Sequence, residues 1–315
     1  MPHLHLDCYR LNLYGNKNMV DVSIILVNYN TKELTKQCID SLFEYTNGIN
    51  FEIILVDNAS SDGSIEYFSK DERIKFIESG SNLGFGKANN LGVQNSVGDY
   101  VFFLNTDTVL KNNAIKIMYD WMVLYNHDLN VGALGCLLLG KDGVRTHSYS
   151  RFPNAWRLFR EIWIDHLLKR FGHKTVMKLD QGVDESPEFF EVDYVTGADI
   201  FVKKEVLEQY GKFDPDFFMY YEESEMQYRW KKAGLHNFIL KGPQIVHLEG
   251  GSATSVTFVK QMRNIRSSLI FYKKTMPVIS YGLFRCFYPL CYLHLFFTKA
   301  ITAQHKKELF KILFT

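Results

Sequence analysis

The sequence predicts an α/β fold with a mostly parallel central sheet flanked by helices. Three observations lead there. Short apolar, β-rich runs at residues 22–27, 51–56 and 100–104 each stop abruptly on polar residues. The segments between them space their apolar residues as helices do, and alternation of strand and helix is what a parallel sheet needs. The joining turns are short and rich in Asn, Asp, Ser and Gly, residues that bend the backbone cheaply.

The elements follow in order. Residues 1–20 are mixed and polar and read as a loose N-terminal extension. The first strand ends on Asn28-Tyr29-Asn30, and Thr31 is placed to cap a helix with Leu34, Cys38, Leu42 and Tyr45 on its apolar face. The second strand ends on Asp57-Asn58-Ala59; a helix through Ile65 and Phe68 leads to a third strand at 74–77. Gly84-Phe85-Gly86 opens another helix, the glycines permitting the close backbone approach that suits a phosphate or sugar. The run at 100–104 follows and ends on Asn105-Thr106-Asp107, with a helix expected from near Lys111. A buried run at 131–139, a helical aromatic and basic stretch at 156–178 and a strand-like segment at 191–203 around Gly197 come next. A helix then starts at Tyr221-Glu222-Glu223 and stops at Gly234, and a last strand pair is expected within 239–247.

Beyond Thr257 the pattern changes to helices in which Arg263, Arg266, Lys273 and Lys274 mix with apolar residues. The aromatic run at 277–297 is interrupted by Arg285, and its uncharged pieces are shorter than the roughly 20 apolar residues a spanning helix needs. It reads as a segment lying at a membrane interface, the alternative being a helical pair packed on the rest of the chain or on a second copy. The expected organisation is an extension at 1–20, one α/β domain at 21–250 and a helical C-terminal segment at 251–315.

Composition excludes several classes. Lys and Arg balance Asp and Glu to a formal net charge of +1, so no global field points to nucleic acid. The five cysteines are scattered without C-x-x-C spacing, which argues against a zinc site or disulfide framework and fits a reducing compartment. The first 18 residues lack an apolar run of signal-peptide length, and a cytoplasmic location is expected.

Chemistry concentrates at the strand ends, where open α/β sheets bind ligands. A carboxylate delivered there, such as Asp107, is well placed to hold a hard cation; Asn105 and Asp107 are equally well explained, taken alone, as caps of the next helix. Asp57 stands at the end of the second strand as a hydrogen-bond acceptor, and Tyr29 offers a flat aromatic face beside it. Glu222, Glu223 and Glu225 cluster at a helix start, where the dipole favours ionised carboxylates. Glu225 and Arg229, four apart, are spaced to pair.

Taken together, the motifs at 27–30, 56–64, 82–92, 104–107 and 217–229 resemble family-two glycosyltransferases of the GT-A fold, in particular the rhamnosyltransferase-like branch, over about residues 21–250. The resemblance implies a GT-A nucleotide-diphospho-sugar transferase fold with a C-terminal helical extension. It implies donor contacts by Asn28, Tyr29, Asp57, Asn82, Gly84, Asn89, Asn105 and Arg229, and a Mg or Mn ion held by Asp107 and His247. The family pattern of an acidic pair makes Glu223 the base of an inverting transfer, with Gly197, Glu222, Glu225 and Trp230 on the acceptor side. Processive synthases carry two residues between the Gln and Arg of their Gln-Arg-Trp motif; Gln227-Tyr228-Arg229-Trp230 has one, so polymerisation is not expected. The expected partners are a nucleotide-diphosphate sugar and a glycan or lipid-linked acceptor at the inner face of a membrane, with a homo-oligomer through the C-terminal segment as an alternative use of that segment. The competing readings are nucleotidyl transfer, which lacks its Gly-rich basic loop at Asn28-Tyr29-Asn30-Thr31, and an inactive scaffold, against which Asp107 and Glu223 weigh.

Overall fold

Branched apolar residues pack well when a strand is buried on both faces, and the first half of the chain uses them in that way. The computed structural model describes residues 19–159, 183–248, 258–296 and 302–314; the N-terminal extension and the stretch from 160 to 182, with Trp163, lie outside them. The opening alternation is β1 (Val22–Asn28), α1 (Lys32–Tyr45), β2 (Phe51–Asp57), α2 (Ser64–Phe68), β3 (Lys75–Glu78), α3 (Phe85–Gln94) and β4 (Tyr100–Asn105). A short β5 (Thr108–Leu110) precedes α4 (Ala114–Leu129) and β6 (Val131–Cys136). After β7 (Tyr149–Ser150) and α5 (Ala155–Phe159) come β8 (Phe189–Val192), β9 (Tyr194–Val195) and β10 (Asp199–Lys203). The domain continues with α6 (Lys204–Tyr210), α7 (Glu222–Lys232), β11 (His236–Leu240) and β12 (Ile245–His247).

Eight strands form one sheet in the order β3-β2-β1-β4-β10-β6-β11-β8. β1 to β4 are mutually parallel; β10 runs antiparallel between β4 and β6, and β8 is an antiparallel edge on β11. The chain lays β2 and β3 to one side of β1 and then crosses to β4 on the other. That reversal opens a crevice at the carboxyl ends of β1 and β4, and the register sets Asn28 beside Asp57 and Val27 beside Asn105 there. The two-residue period divides the strands between two cores. Ile24, Leu26, Phe102 and Leu104 pack with α1 and α4, whereas Ile25, Val101 and Phe103 pack with Val93 of α3 and Met226 and Trp230 of α7.

Three expectations need correction. The helix expected from near Lys111 starts only at Ala114, because β5 intervenes to pair with β12. Asn105 and Asp107 are therefore not its caps. The last strands do not pair with each other: β11 lies between β6 and β8, and β12 joins β5. Thr31 makes no side-chain cap to α1; its hydroxyl donates to Asn28, and Asp62 accepts the Lys32 N–H instead at 2.9 Å.

The C-terminal helices are α8 (Phe258–Thr275), α9 (Val278–Phe287), α10 (Leu293–Phe296) and α11 (Ala303–Phe314). They bury a small core of their own around Met262, Ile265, Leu269, Tyr288 and Leu309. A second cluster ties them to the sheet domain, with Phe271 of α8 against Tyr221 and Tyr228. Among the described residues no helix is long and apolar enough to cross a membrane.

Candidate active site

At the ends of β1 and β2 the polar side chains bind one another. Asn28, fully buried, donates to Asp57 Oδ2 at 2.7 Å and to Ser60 Oγ at 3.0 Å, while its Oδ1 accepts from the Thr31 and Thr35 hydroxyls at 2.8 and 2.9 Å. Asp57 is equally buried, and its Oδ1 accepts the Ser60 N–H at 2.8 Å. Both residues thus hold the two turns in shape, with one acceptor site on each Asp57 oxygen already used. Tyr29 stands out of this network, about half exposed at the mouth of the crevice.

Asn58 extends the network to the next turn. Its Oδ1 accepts the Leu83 N–H at 2.8 Å and its amide donates to Asn82 at 3.2 Å. Gly84, at φ +82°, brings its backbone against Phe218; a Cβ here would lie 2.1 Å from the Phe218 carbonyl oxygen, which accepts the Phe85 N–H at 3.0 Å. The close approach expected of this glycine is spent on another loop of the protein. Asn89 is buried and donates to the Phe85 carbonyl one turn back, at 3.1 Å.

The end of β4 holds the second group. The Asn105 N–H donates to the Ala198 carbonyl at 2.9 Å, fixing the strand end against the loop that carries Gly197. Pairing of β12 with β5 brings His247 to Asp107, with Nε2 and Oδ1 3.2 Å apart and both side chains mostly buried. Neighbouring vertices of an octahedral site with bonds of about 2.1 Å are about 3 Å apart. The pair therefore fits a divalent cation that takes further ligands from phosphate oxygens and water. Among the described residues no third His, Cys, Asp or Glu completes a cluster with them.

The third group begins α7. Tyr220 and Tyr221 both have positive φ, 73° and 68°, a conformation that bulky residues adopt at a cost of about 1–3 kcal/mol each. The loop is held there from several sides. The Tyr221 carbonyl accepts the Glu225 N–H at 2.8 Å and the Ser224 hydroxyl at 3.0 Å, and Ser267 of α8 donates to the Met219 carbonyl at 2.8 Å. This strained turn delivers Glu222 and Glu223 to the crevice. A Cβ on Gly197 would lie 3.8 Å from the Glu223 carboxyl carbon, an ordinary contact distance, so the Gly197 loop and that carboxylate are direct neighbours. Burial raises the pKa of Glu223, opposed by backbone N–H groups of the first helical turn. Burial, then the charge of Glu223, pushes Glu222 up to about 8, and Glu222 Oε2 has no hydrogen-bond partner among the described residues. Burial raises both carboxyls, so the pair is arranged to hold a proton between them.

Three expected site residues are committed elsewhere. Arg229 gives Nε to Glu225 at 2.8 Å, Nη1 to the Tyr210 carbonyl at 2.7 Å and Nη2 to the Lys212 carbonyl at 2.6 Å. That leaves no face for a donor phosphate, and Glu225, buried, is its counter-ion. Trp230 is fully buried with its indole N–H on the Gly211 carbonyl, so it is core and not a sugar platform. Trp156, by contrast, is largely exposed. Conversely, sequence reasoning passed over Gln227, whose amide accepts the Val195 N–H and donates to the Val195 carbonyl, both at 2.8 Å. This clamp fixes the strand before Gly197 to α7. Its signal was present as a polar residue on the inward side of an amphipathic helix.

Residues 23–170 match the model of Glycosyl transferase family 2. That stretch, a little under half of the chain, is similar to family 2 glycosyltransferases. Among curated relatives, the low-salt glycan biosynthesis hexosyltransferase Agl10 of Haloferax volcanii is 29% identical over 69% of this chain and 63% of its own length. Glycosyltransferase GlyA of Streptococcus pneumoniae is 32% identical over 35% of this chain and 16% of its own. The chain thus spans less than two thirds of either relative. Two solved structures share the architecture: GalNAc-T7 with UDP, GalNAc and Mn2+ (TM-score 0.57, 14% identity, 94% of this chain and 55% of that one) and S. aureus TarS (TM-score 0.55, 13% identity, 93% and 48%). The chain therefore has a GT-A-like fold, with a mostly parallel sheet flanked by helices and further helices at the C-terminus.

Proposed function

We propose that this chain is an inverting, divalent-cation-dependent glycosyltransferase. It moves a sugar from a nucleotide-diphosphate donor, dTDP-L-rhamnose or a UDP-sugar, to a glycan or lipid-linked glycan acceptor in cell-surface polysaccharide synthesis. The observation that carries this reading is convergence at the end of β4. Asp107 meets His247 there, and the adjoining Asn105 is bonded to Ala198, next to Gly197, whose neighbour is the Glu223 carboxylate.

In this reading Glu223 takes the proton of the acceptor hydroxyl as its oxygen bonds to the anomeric carbon. The bond from that carbon to the diphosphate breaks on the opposite face, and the configuration inverts. Asp107 and His247 would hold a Mg or Mn ion, which when bound offsets the charge on the leaving diphosphate. Imidazole ligation favours Mn over Mg. Tyr29 provides a face for the base, while Asn28, Asp57, Asn58 and Asn82 fix the turns on which base and ribose rest. Glu222, protonated, leaves Glu223 as the negative charge of the adjacent pair, while Glu225 is neutralised by Arg229.

We assign the transfer chemistry to residues 21–250 and treat 251–315 as an appendage that meets the inner face of a membrane. Support for the latter comes from α9 and the turn after it, where Val278, Ile279, Leu283 and Phe287 are each more than half exposed. The relative named poly(ribitol-phosphate) beta-glucosyltransferase, 30% identical over 36% of this chain, is consistent with glycan assembly as the setting. Radiolabelled transfer from a donor panel, with EDTA and then with Mn2+ restored, tests the proposal. Transfer should stop on chelation and return with the metal; transfer indifferent to EDTA would remove the cation from the account.

A further inference from the structure

A cavity of about 850 Å³ lies between α8, α11 and the loop that leads into α7. One stripe of α8 lines it, with Arg263, Arg266, Ile270 and Lys273 following each other at three- or four-residue steps along one face. Lys87, from the first turn of α3, enters from the opposite wall, and the apolar lining includes Phe258, Met262 and Ile312. Two carboxylates also line the space, Asp216 and Glu308; Lys274 already neutralises Asp216 at 2.8 Å and Asp214 at the same distance. Arg263 stacks on the Phe218 ring, 4.9 Å from its centroid, and Lys87, Arg266 and Lys273 have no ion-pair partner among the described residues.

Cations gathered around a hollow repel one another unless an anion occupies it. An amphipathic wall with basic residues at one end and apolar ones deeper in suits a charged head with a hydrocarbon attached. The surface beyond the cavity supplies the place for the rest of that molecule. Straight after Lys273 and Lys274, Pro277 turns the chain into α9, where Val278 and Ile279 are more than three-quarters exposed. Arg285 directs its guanidinium to α11, where Nη1 donates to the Leu313 carbonyl at 2.8 Å.

We propose that the cavity binds the phosphate or diphosphate headgroup of an anionic lipid, with the apolar face of α9 resting in the lipid surface. Phe218 is common to this cavity and to the active site. Its ring lies under Arg263, its carbonyl accepts the Phe85 N–H, and its loop runs directly into Glu222 and Glu223. A lipid held here by its phosphate presents whatever sugar it carries to the Glu223 side of the crevice. This last step rests on the transferase reading; the lipid site itself does not.

The test uses the full chain in sedimentation with vesicles of phosphatidylcholine alone and of four parts phosphatidylcholine to one part phosphatidylglycerol. Binding is expected to the anionic vesicles only. Arg266→Gln with Lys273→Gln should weaken it by about thirtyfold, since each basic residue at an anionic surface contributes about a factor of five. Lys87→Gln, on the far wall, should weaken it about fivefold, and Ile279→Ser with Leu283→Ser should weaken it independently. Equal binding to neutral vesicles, or wild-type binding by the charge variants, overturns the proposal. Retained vesicle binding by the serine variant, together with complete release by inorganic pyrophosphate, overturns it in favour of a soluble phosphate ligand. Calorimetry with UDP and dTDP on the same samples separates the two claims. Loss of nucleotide binding with intact charge-dependent vesicle binding fails the transferase reading and leaves the lipid site standing.

Discussion

The turns after β1 and β2 and the start of α7 face the same crevice, and they treat their polar groups in opposite ways. Around Asn28 and Asp57 each buried group has protein partners within 3 Å or so, and neither residue shows surface. At Tyr220–Glu225 two consecutive tyrosines hold positive φ, and Glu222 Oε2 and Glu225 Oε2 are buried with no hydrogen-bond partner among the described residues. The first arrangement is what stability selects, since unmade buried bonds cost about 1–3 kcal/mol each. The second is what a proton-transfer site tolerates, because strain and desolvation keep a carboxylate basic. One region holds its shape, and the other stores reactivity.

The sharpest way to break that contrast is Glu223→Gln. The variant keeps the size of the side chain and removes the base, so transfer should fall about a thousandfold with nucleotide binding retained. Asp107→Asn should lower transfer by about two orders of magnitude and should also weaken Mn2+-dependent nucleotide binding, which Glu223→Gln should not. On the satisfied side, Asn28→Ala leaves Asp57 buried with a lost donor and should cost about 2–3 kcal/mol of stability, read by urea unfolding. Glu222→Gln should change how stability depends on pH. The folded chain keeps the Glu222 proton up to about pH 8, whereas the unfolded chain loses it in the ordinary carboxylate range. Its contribution is therefore full at low pH and is lost as pH rises toward that value. Thermal unfolding from pH 5 to 8 should show a decline in Tm that flattens by a few degrees in the variant.

The same contrast explains what could be read from the residues alone. Strand ends were legible because apolar runs of β-branched residues terminate on polar ones, and Asn28, Asp57 and Asn105 fall within one residue of that change. β5 was missed because Thr108-Val109-Leu110 is too short to show alternation, and its reason for being a strand, the pairing with β12, lies about 137 residues downstream. Arg229 and Trp230 looked like ligand-binding residues since their type suits that use. Their partners, the carbonyls of Tyr210, Gly211 and Lys212, belong to a loop whose position no local pattern encodes. The acidic pair was legible as a cluster at a helix start, but its burial was not.

The central claim is that a cation station at Asp107 and His247 and a base at Glu223 serve one transfer step from opposite sides. The most direct measurement is nucleotide-diphosphate calorimetry in Mn2+ beside radiolabelled transfer, on wild type, Glu223→Gln and Asp107→Asn. The account predicts that Glu223→Gln binds nucleotide as wild type does and transfers about a thousandfold more slowly, while Asp107→Asn weakens both together. Transfer at the wild-type rate by Glu223→Gln, or nucleotide binding in Asp107→Asn that responds to Mn2+ as wild type does, would contradict it.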